Sequence, residues 1–135
     1  MSGRRSRNKG AAAERELFKK LSEILGQEIT RNLEQTRNGG ADTVDLEHVS
    51  LEVKRHETLA LKTWWGQTCE QAEIDEKAPV LAYRQSRRPW KFIVPINFIA
   101  TQDSGICAFD STAEISLEAF CRLYQGLGAK ECLSA

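Results

Sequence analysis

The sequence predicts an α/β fold in which a mixed β-sheet is flanked by helices. Apolar residues recur at helical spacing in three separated segments. Between them lie short runs rich in Val, Ile, Thr and aromatic residues, bounded by turn residues. The order is helix, strand, strand, strand, helix, strand, strand, helix, and that alternation places helices against a sheet.

The first helix is predicted from about Lys9 to Leu25. Ala13, Leu17, Leu21 and then Ile24 or Leu25 share one face, and Gly26 ends it. Residues 1–8 are small, basic and polar, so they are predicted as a flexible basic arm, leaving 9–135 as a single domain. QEITRN (27–32) is a short strand candidate, and LEQTRNGGAD (33–42) is a loop punctuated by Asn38-Gly39-Gly40. DTVDL (42–46) and VSLEVKR (49–55) read as two strands joined near Glu47-His48. The second helix covers 59–78, with Leu61, Trp64 or Trp65, Thr68, Ala72 and Asp75 marking its turns and Pro79 preventing its continuation. PVLAYRQ (79–85) and WKFIVPI (90–96) are strands separated by the Arg-rich turn SRRP. A last helix spans 116–127, with Ser116 as N-cap.

A chain of 135 residues with 41% hydrophobic and 28% charged residues has the balance of one globular domain. No apolar run approaches the roughly 18–20 residues that a membrane helix needs, and no apolar segment follows the basic N-terminus as in a secretory signal. A soluble cytoplasmic protein with no membrane partner is the expectation. The four cysteines form no close pair and only two histidines accompany them. That spacing argues against zinc and leaves reduced thiols as the expectation.

Net charge is zero but unevenly spread. Residues 103–135 hold five acids and two bases, and the rest of the chain holds 14 acids and 17 bases. Two basic clusters stand out: Arg4, Arg5, Arg7 and Lys9, then Arg84, Arg87, Arg88 and Lys91. A neutral total can conceal a basic face suited to phosphate.

The stretch SLEVKR carries the chemistry. In a strand, Glu52 and Lys54 point to one side while Leu51 and Val53 point to the other. If the strands bearing Asp42 and Glu52 pair as a hairpin, the two carboxylates approach each other beside Lys54. Neighbouring carboxylates repel unless a cation sits between them, and Mg²⁺ is a natural occupant. Such an ion activates water for attack on phosphorus, with Lys54 orienting the water or stabilising the developing charge. A solvated ion pair explains Glu-x-Lys on many strands, so the pattern alone leaves both readings open. Glu14 flanks the apolar face of the first helix.

KGAAAERELFKKL, then GGAD, LEVKR and PVLAYRQSRRPWKFIVP, in that order from Lys9 to Pro95, resemble the archaeal-type Holliday junction resolvases of the PD-(D/E)xK nuclease superfamily, in particular its small phage and prophage members. The resemblance implies a restriction-endonuclease-like sheet, a Mg²⁺ requirement with Mn²⁺ able to substitute, branched DNA as substrate, and a homodimer that cuts two strands. It assigns Glu14, Asp42 and Glu52 to the metal and Lys54 to the attacking water. Ala41 stands where many relatives carry proline, and Asp45 is an alternative ligand, of opposite strand parity to Asp42. Gln67, on the helix after Lys54, matches a position near the active site in several branches. Of Trp64 and Trp65, one is expected in the core and the other over a base, the site or a dimer interface. The resemblance gives Arg4, Arg5, Arg7, Lys9, Arg37, Arg55, Arg84, Arg87, Arg88 and Lys91 a DNA-binding role, with Arg31 an addition to the same face. Nicking, flap-cutting and restriction-like enzymes share this metal site. A non-catalytic DNA-binding module is the alternative of another class.

Overall fold

Ala13, Leu17 and Leu21 stack along one side of the first helix and are almost completely buried. Their burial organises the fold. The computed structural model describes residues 2–32, 41–43, 45–98 and 111–134, with the backbone alone for 2–9 and 128–134. Helix α1 (Ser2–Leu25) leads to strand β1 (Val49–Arg55), helix α2 (Leu61–Asp75), strands β2 (Ala78–Arg84) and β3 (Lys91–Pro95), a 3₁₀ turn (Ile96–Phe98), strand β4 (Thr112–Ser116) and helix α3 (Leu117–Ser134).

The sheet order is β1-β2-β3-β4, with β1 and β2 parallel and the other pairs antiparallel. A parallel pair needs a crossover, and α2 supplies it. On one face, Val49, Leu51 and Val53 join Val80, Ala82, Phe92 and Val94 beneath α1 and α3. Phe92 stacks on Phe120 of α3 at 4.6 Å between ring centroids. On the other face, Leu81, Tyr83 and Ile93 pack against Trp64 and Trp65 of α2. The register aligns Glu52 with Leu81 and Ile93, and Lys54 with Tyr83 and Lys91.

Several elements differ from the sequence expectation. Helix α1 begins at Ser2 and takes in the basic segment predicted as a flexible arm. Arg, Lys and Ala are good helix formers, and no proline interrupts them. Its end is as expected: Gly26 has φ +68° and donates its N–H to the Ser22 carbonyl at 3.0 Å. Residues 27–32 form no strand. Ile29 N–H donates to Ser22 Oγ at 3.0 Å and Thr30 N–H to Asp45 Oδ2 at 2.7 Å, so side chains take the place of ladder partners. Among the described residues of DTVDL, the pairing is one isolated antiparallel bridge, Thr43 to Leu51. Helix α2 stops at Asp75, where Glu76 turns left-handed at φ 56°, ahead of Pro79. The expectation that only one of Trp64 and Trp65 is core is corrected, because both are buried, at 7% and 2% exposure. A helix lying on a sheet buries a stripe wide enough for neighbours 100° apart.

Strand β4 was not expected, since TAEIS has a single large apolar residue. It pairs along β3 and ends at Ser116, whose Oγ caps α3 by accepting the Ala119 N–H at 3.1 Å. Cys121 is a free, buried thiol. Among the described residues, no helix is long and apolar enough to cross a membrane.

Candidate active site

Asp42 is held by its own backbone before its side chain does anything. Its N–H donates to the Leu51 carbonyl at 3.0 Å, and its carbonyl accepts from Asn32 N–H at 2.8 Å. Asn32 Nδ2 donates to the Ala41 carbonyl at 2.9 Å, and Thr43 Oγ1 to the Thr30 carbonyl at 2.7 Å. This strap runs beside β1 and buries Asp42 to 3% exposure. Asp42 Oδ2 then accepts the Val53 N–H at 2.6 Å, which fixes the carboxylate between Glu52 and Lys54 along the strand.

Glu52 and Lys54 project to the same side of β1, with Nζ 3.4 Å from Glu52 Oε1. Glu14 reaches the same place from α1. With Ala13 and Leu17 in the core, Glu14 falls at the flank of the buried stripe, and its side chain is 15% exposed. Arg31 Nε stands 3.1 Å from Glu14 Oε2, yet that buried oxygen accepts no hydrogen bond among the described residues. Glu14, Asp42, Glu52 and Lys54 all line one cavity of about 430 Å³.

Crowded carboxylates in a half-buried cavity hold protons more tightly than usual. Glu14 is pushed up to about 7, by burial first and then by Asp42, against the pull of Arg31, Arg15 and Lys54. Glu52 is likewise pushed up to about 7 by burial and by Asp42, with Lys54 opposing. A site that binds protons near neutrality for these reasons also favours a cation. Among the described residues, no three His, Cys, Asp or Glu side chains already stand as a metal cage. Mg²⁺ needs no such cage, since it takes one or two carboxylates plus waters and substrate oxygens. The all-oxygen donor set, and a Glu14 oxygen that accepts no hydrogen bond among the described residues, fit such an ion.

The remaining predicted positions separate. Asp45 faces away, with Oδ2 accepting from Thr30 N–H at 2.7 Å and Thr30 Oγ1 at 2.9 Å, so the geometry places Asp42 rather than Asp45 in the cavity. Gln67 is exposed on α2 and does not line the cavity. Arg55 lines it and is held by Glu57 at 3.3 Å and by Ser86 Oγ. Arg84 is turned inward: Nη1 donates to both oxygens of Glu16 at 2.9 Å, and its guanidinium lies 5.6 Å over the Trp90 ring. Lys91 pairs with Glu114 at 3.4 Å, while Arg87 (φ 62°) and Arg88 are exposed on the β2–β3 turn. The side chains of Arg4, Arg5, Arg7 and Lys9, and all of Arg37, lie outside the described residues. Sequence reasoning missed two pairings, Glu14 with Arg31 and Glu16 with Arg84. Neither has a local signal, since each joins α1 to a distant segment.

The sequence profile of the family described as "Phage putative PDDEXK endonuclease" matches residues 5–116. The chain belongs to this family. The matched span runs from α1 through β4 and includes every residue that lines the carboxylate cavity. A similar solved structure is that of Hjc, a Holliday junction resolvase from the archaeal hyperthermophile Archaeoglobus fulgidus, at 18% identity and a TM-score of 0.47. That match covers 78% of this chain and 85% of the other. No curated protein sequence matches the chain. The cavity at the β1 edge gathers acidic side chains and a lysine around one space.

Proposed function

We propose that this endonuclease is a metal-dependent deoxyribonuclease that hydrolyses phosphodiester bonds at the β1 edge, acting selectively on branched DNA such as a four-way junction. The observation that carries the reading is the convergence of Glu14, Asp42, Glu52 and Lys54 on one cavity from three separate segments. Asp42 and Glu52 would hold Mg²⁺, or Mn²⁺ in its place, with Glu14 assisting. The ion, when bound, supplies charge neutralisation at phosphorus and a more acidic water.

The protein's own contribution is positional. The Val53 N–H and the strap around Asp42 fix one carboxylate, and β1 fixes the other. Lys54, with three N–H donors, orients the attacking water and offsets the negative charge that builds on the phosphoryl oxygens. A water oxygen bonds to phosphorus, the bond from phosphorus to one ester oxygen breaks, and that oxygen leaves with a proton.

Selectivity for branched DNA is supported by the ordered resemblance described above and by a basic surface that offers phosphate contacts. Such contacts position a nucleic acid by shape without reading bases. A homodimer would deliver two such sites to one junction. Nicking, flap-cutting or restriction-like activity would use the same chemistry.

The test is cleavage of a labelled four-way junction and a matched linear duplex, in Mg²⁺ and in EDTA, beside Glu52→Gln. Paired incisions in the junction alone, requiring Mg²⁺ and Glu52, are expected. Equal cutting of both substrates would keep the hydrolytic chemistry and remove the branch selectivity. Mg²⁺-independent DNA binding with no product from any substrate would leave a non-catalytic DNA-binding module.

A further inference from the structure

A second cavity, of about 340 Å³, lies where β3 and β4 meet the start of α3. Lining residues of both cavities lie at the same end of the sheet, because the register carries Arg55 of β1 to Arg84 of β2, and Lys54 through Tyr83 and Lys91 to Ser116 of β4. Among the described residues, the walls of this second cavity hold four cations, Lys20, Arg84, Arg88 and Lys91, against two carboxylates, Glu114 and Glu118. Glu114 pairs with Lys91, and Glu16 pairs with both Lys20 and Arg84. Arg88 is exposed at the rim.

Two features point to an anionic ligand here. Arg84 Nε and Trp90 Nε1 are buried donors that have no hydrogen-bond partner among the described residues. Trp90 is itself only 4% exposed, and both residues line the cavity. A buried N–H left unpaired carries a free-energy cost that an acceptor brought to it would relieve. The first turn of α3, an 18-residue helix, also faces this space through Leu117 and Glu118, so its backbone N–H groups add to the positive end.

The geometry points to a subsite for one further backbone phosphate of the DNA strand, away from the one being cut. This inference rests on the nuclease reading and deepens it. Two to three strand spacings separate β1 from the β3–β4 edge, roughly 10–15 Å at about 4.8 Å each. At a rise of about 3.4 Å per nucleotide, a DNA strand covers that distance in three or four nucleotides. Lys20 and Arg88 supply charge at the mouth, and Arg84 and Trp90 supply donors deeper in.

The experiment is a titration of fluorescent four-way junction and linear duplex with Glu52→Gln protein in Mg²⁺, across a range of KCl. Lys20→Gln and Arg88→Gln are each added to that background, and Arg122→Gln, which removes an exposed charge on α3 away from the cavity, is the control. Each cavity variant is expected to weaken binding about 3–10-fold and to lower the slope of log K against log[KCl] by about one, as removal of one phosphate contact requires. Arg122→Gln should change neither quantity. An unchanged slope in the cavity variants, or an equal change in the control, overturns the subsite while wild-type cleavage leaves the nuclease reading intact. A parent protein that binds neither DNA removes both.

Discussion

Glu14 and Glu16 sit two residues apart on one helix and have opposite roles. Glu16 accepts from Arg84 through both oxygens and helps tie α1 to β2, with Trp90 packed against the guanidinium. Glu14 points into the carboxylate cavity with an oxygen that accepts no hydrogen bond among the described residues, and burial holds its proton on up to about 7. The first arrangement completes a folded structure. In the second, Arg31 stands 3.1 Å away as an ion pair, yet the Glu14 oxygen accepts no hydrogen bond among the described residues. Residue type and helix are shared, so the difference comes from what the fold places opposite each side chain.

That contrast can be broken or sharpened by substitution. The largest effect is expected at the centre of the cavity. Glu52→Gln should lower cleavage by about 10³-fold or more while DNA binding stays within about threefold. Cleavage by Glu52→Gln and Asp42→Asn at undiminished rates would falsify the assignment. Glu14→Gln comes next, with a loss of about 10–100-fold that higher Mg²⁺ partly recovers, as expected for a residue that assists the metal. The measurement is initial rate against Mg²⁺ concentration.

Titration tests the same difference without turnover. Glu14 and Glu52 have folded-state values near 7, above the ordinary 4.5. Their contribution to stability is complete below about 4.5 and is lost as pH rises through about 7. In EDTA, the Tm should therefore fall between pH 5 and pH 8, by on the order of 5 °C. Mg²⁺ should raise the Tm more at pH 8 than at pH 5, because an ion replaces the proton. A flat profile in EDTA would contradict the crowding of carboxylates.

Glu16→Gln should show the reverse pattern from Glu14→Gln. Cleavage should stay within about threefold, while stability falls by about 1 kcal/mol through loss of a partly exposed charged pair. Equal damage to cleavage by both substitutions would erase the distinction. Gln67→Ala is expected to have the smallest effect, within about twofold in rate, because its side chain lies on the exposed side of α2.

Much of this contrast was hidden in the sequence. The 2-residue alternation of LEVKR correctly placed Leu51 and Val53 in the core and Glu52 with Lys54 on the opposite face. Helical spacing correctly placed Ala13, Leu17 and Leu21, and the Gly26 stop. Asp42 was legible through its position after a turn, but its burial was not, since that depends on Asn32, Leu51 and Val53 meeting around it. Periodicity put Glu14 on the flank of the apolar face and gave no sign of what Glu16 would meet. Each meets an arginine from a distant segment, and what separates them is that Arg84 hydrogen-bonds both oxygens of Glu16 while Glu14 lines the carboxylate cavity. Adjacent tryptophans gave no sign that a sheet would bury both, and a five-residue edge strand with one large apolar side chain is too short for pattern alone.

The hydrogen bond from the Val53 amide to Asp42 makes the cavity observable in a way that needs neither substrate nor catalysis. At 2.6 Å to a carboxylate oxygen, this N–H belongs to the short, charge-assisted class. Its proton resonance should lie well downfield of the other strand amides and shift when Asp42 changes partner. A single backbone signal in an NMR spectrum would then report occupancy of the cavity in an intact, resting protein.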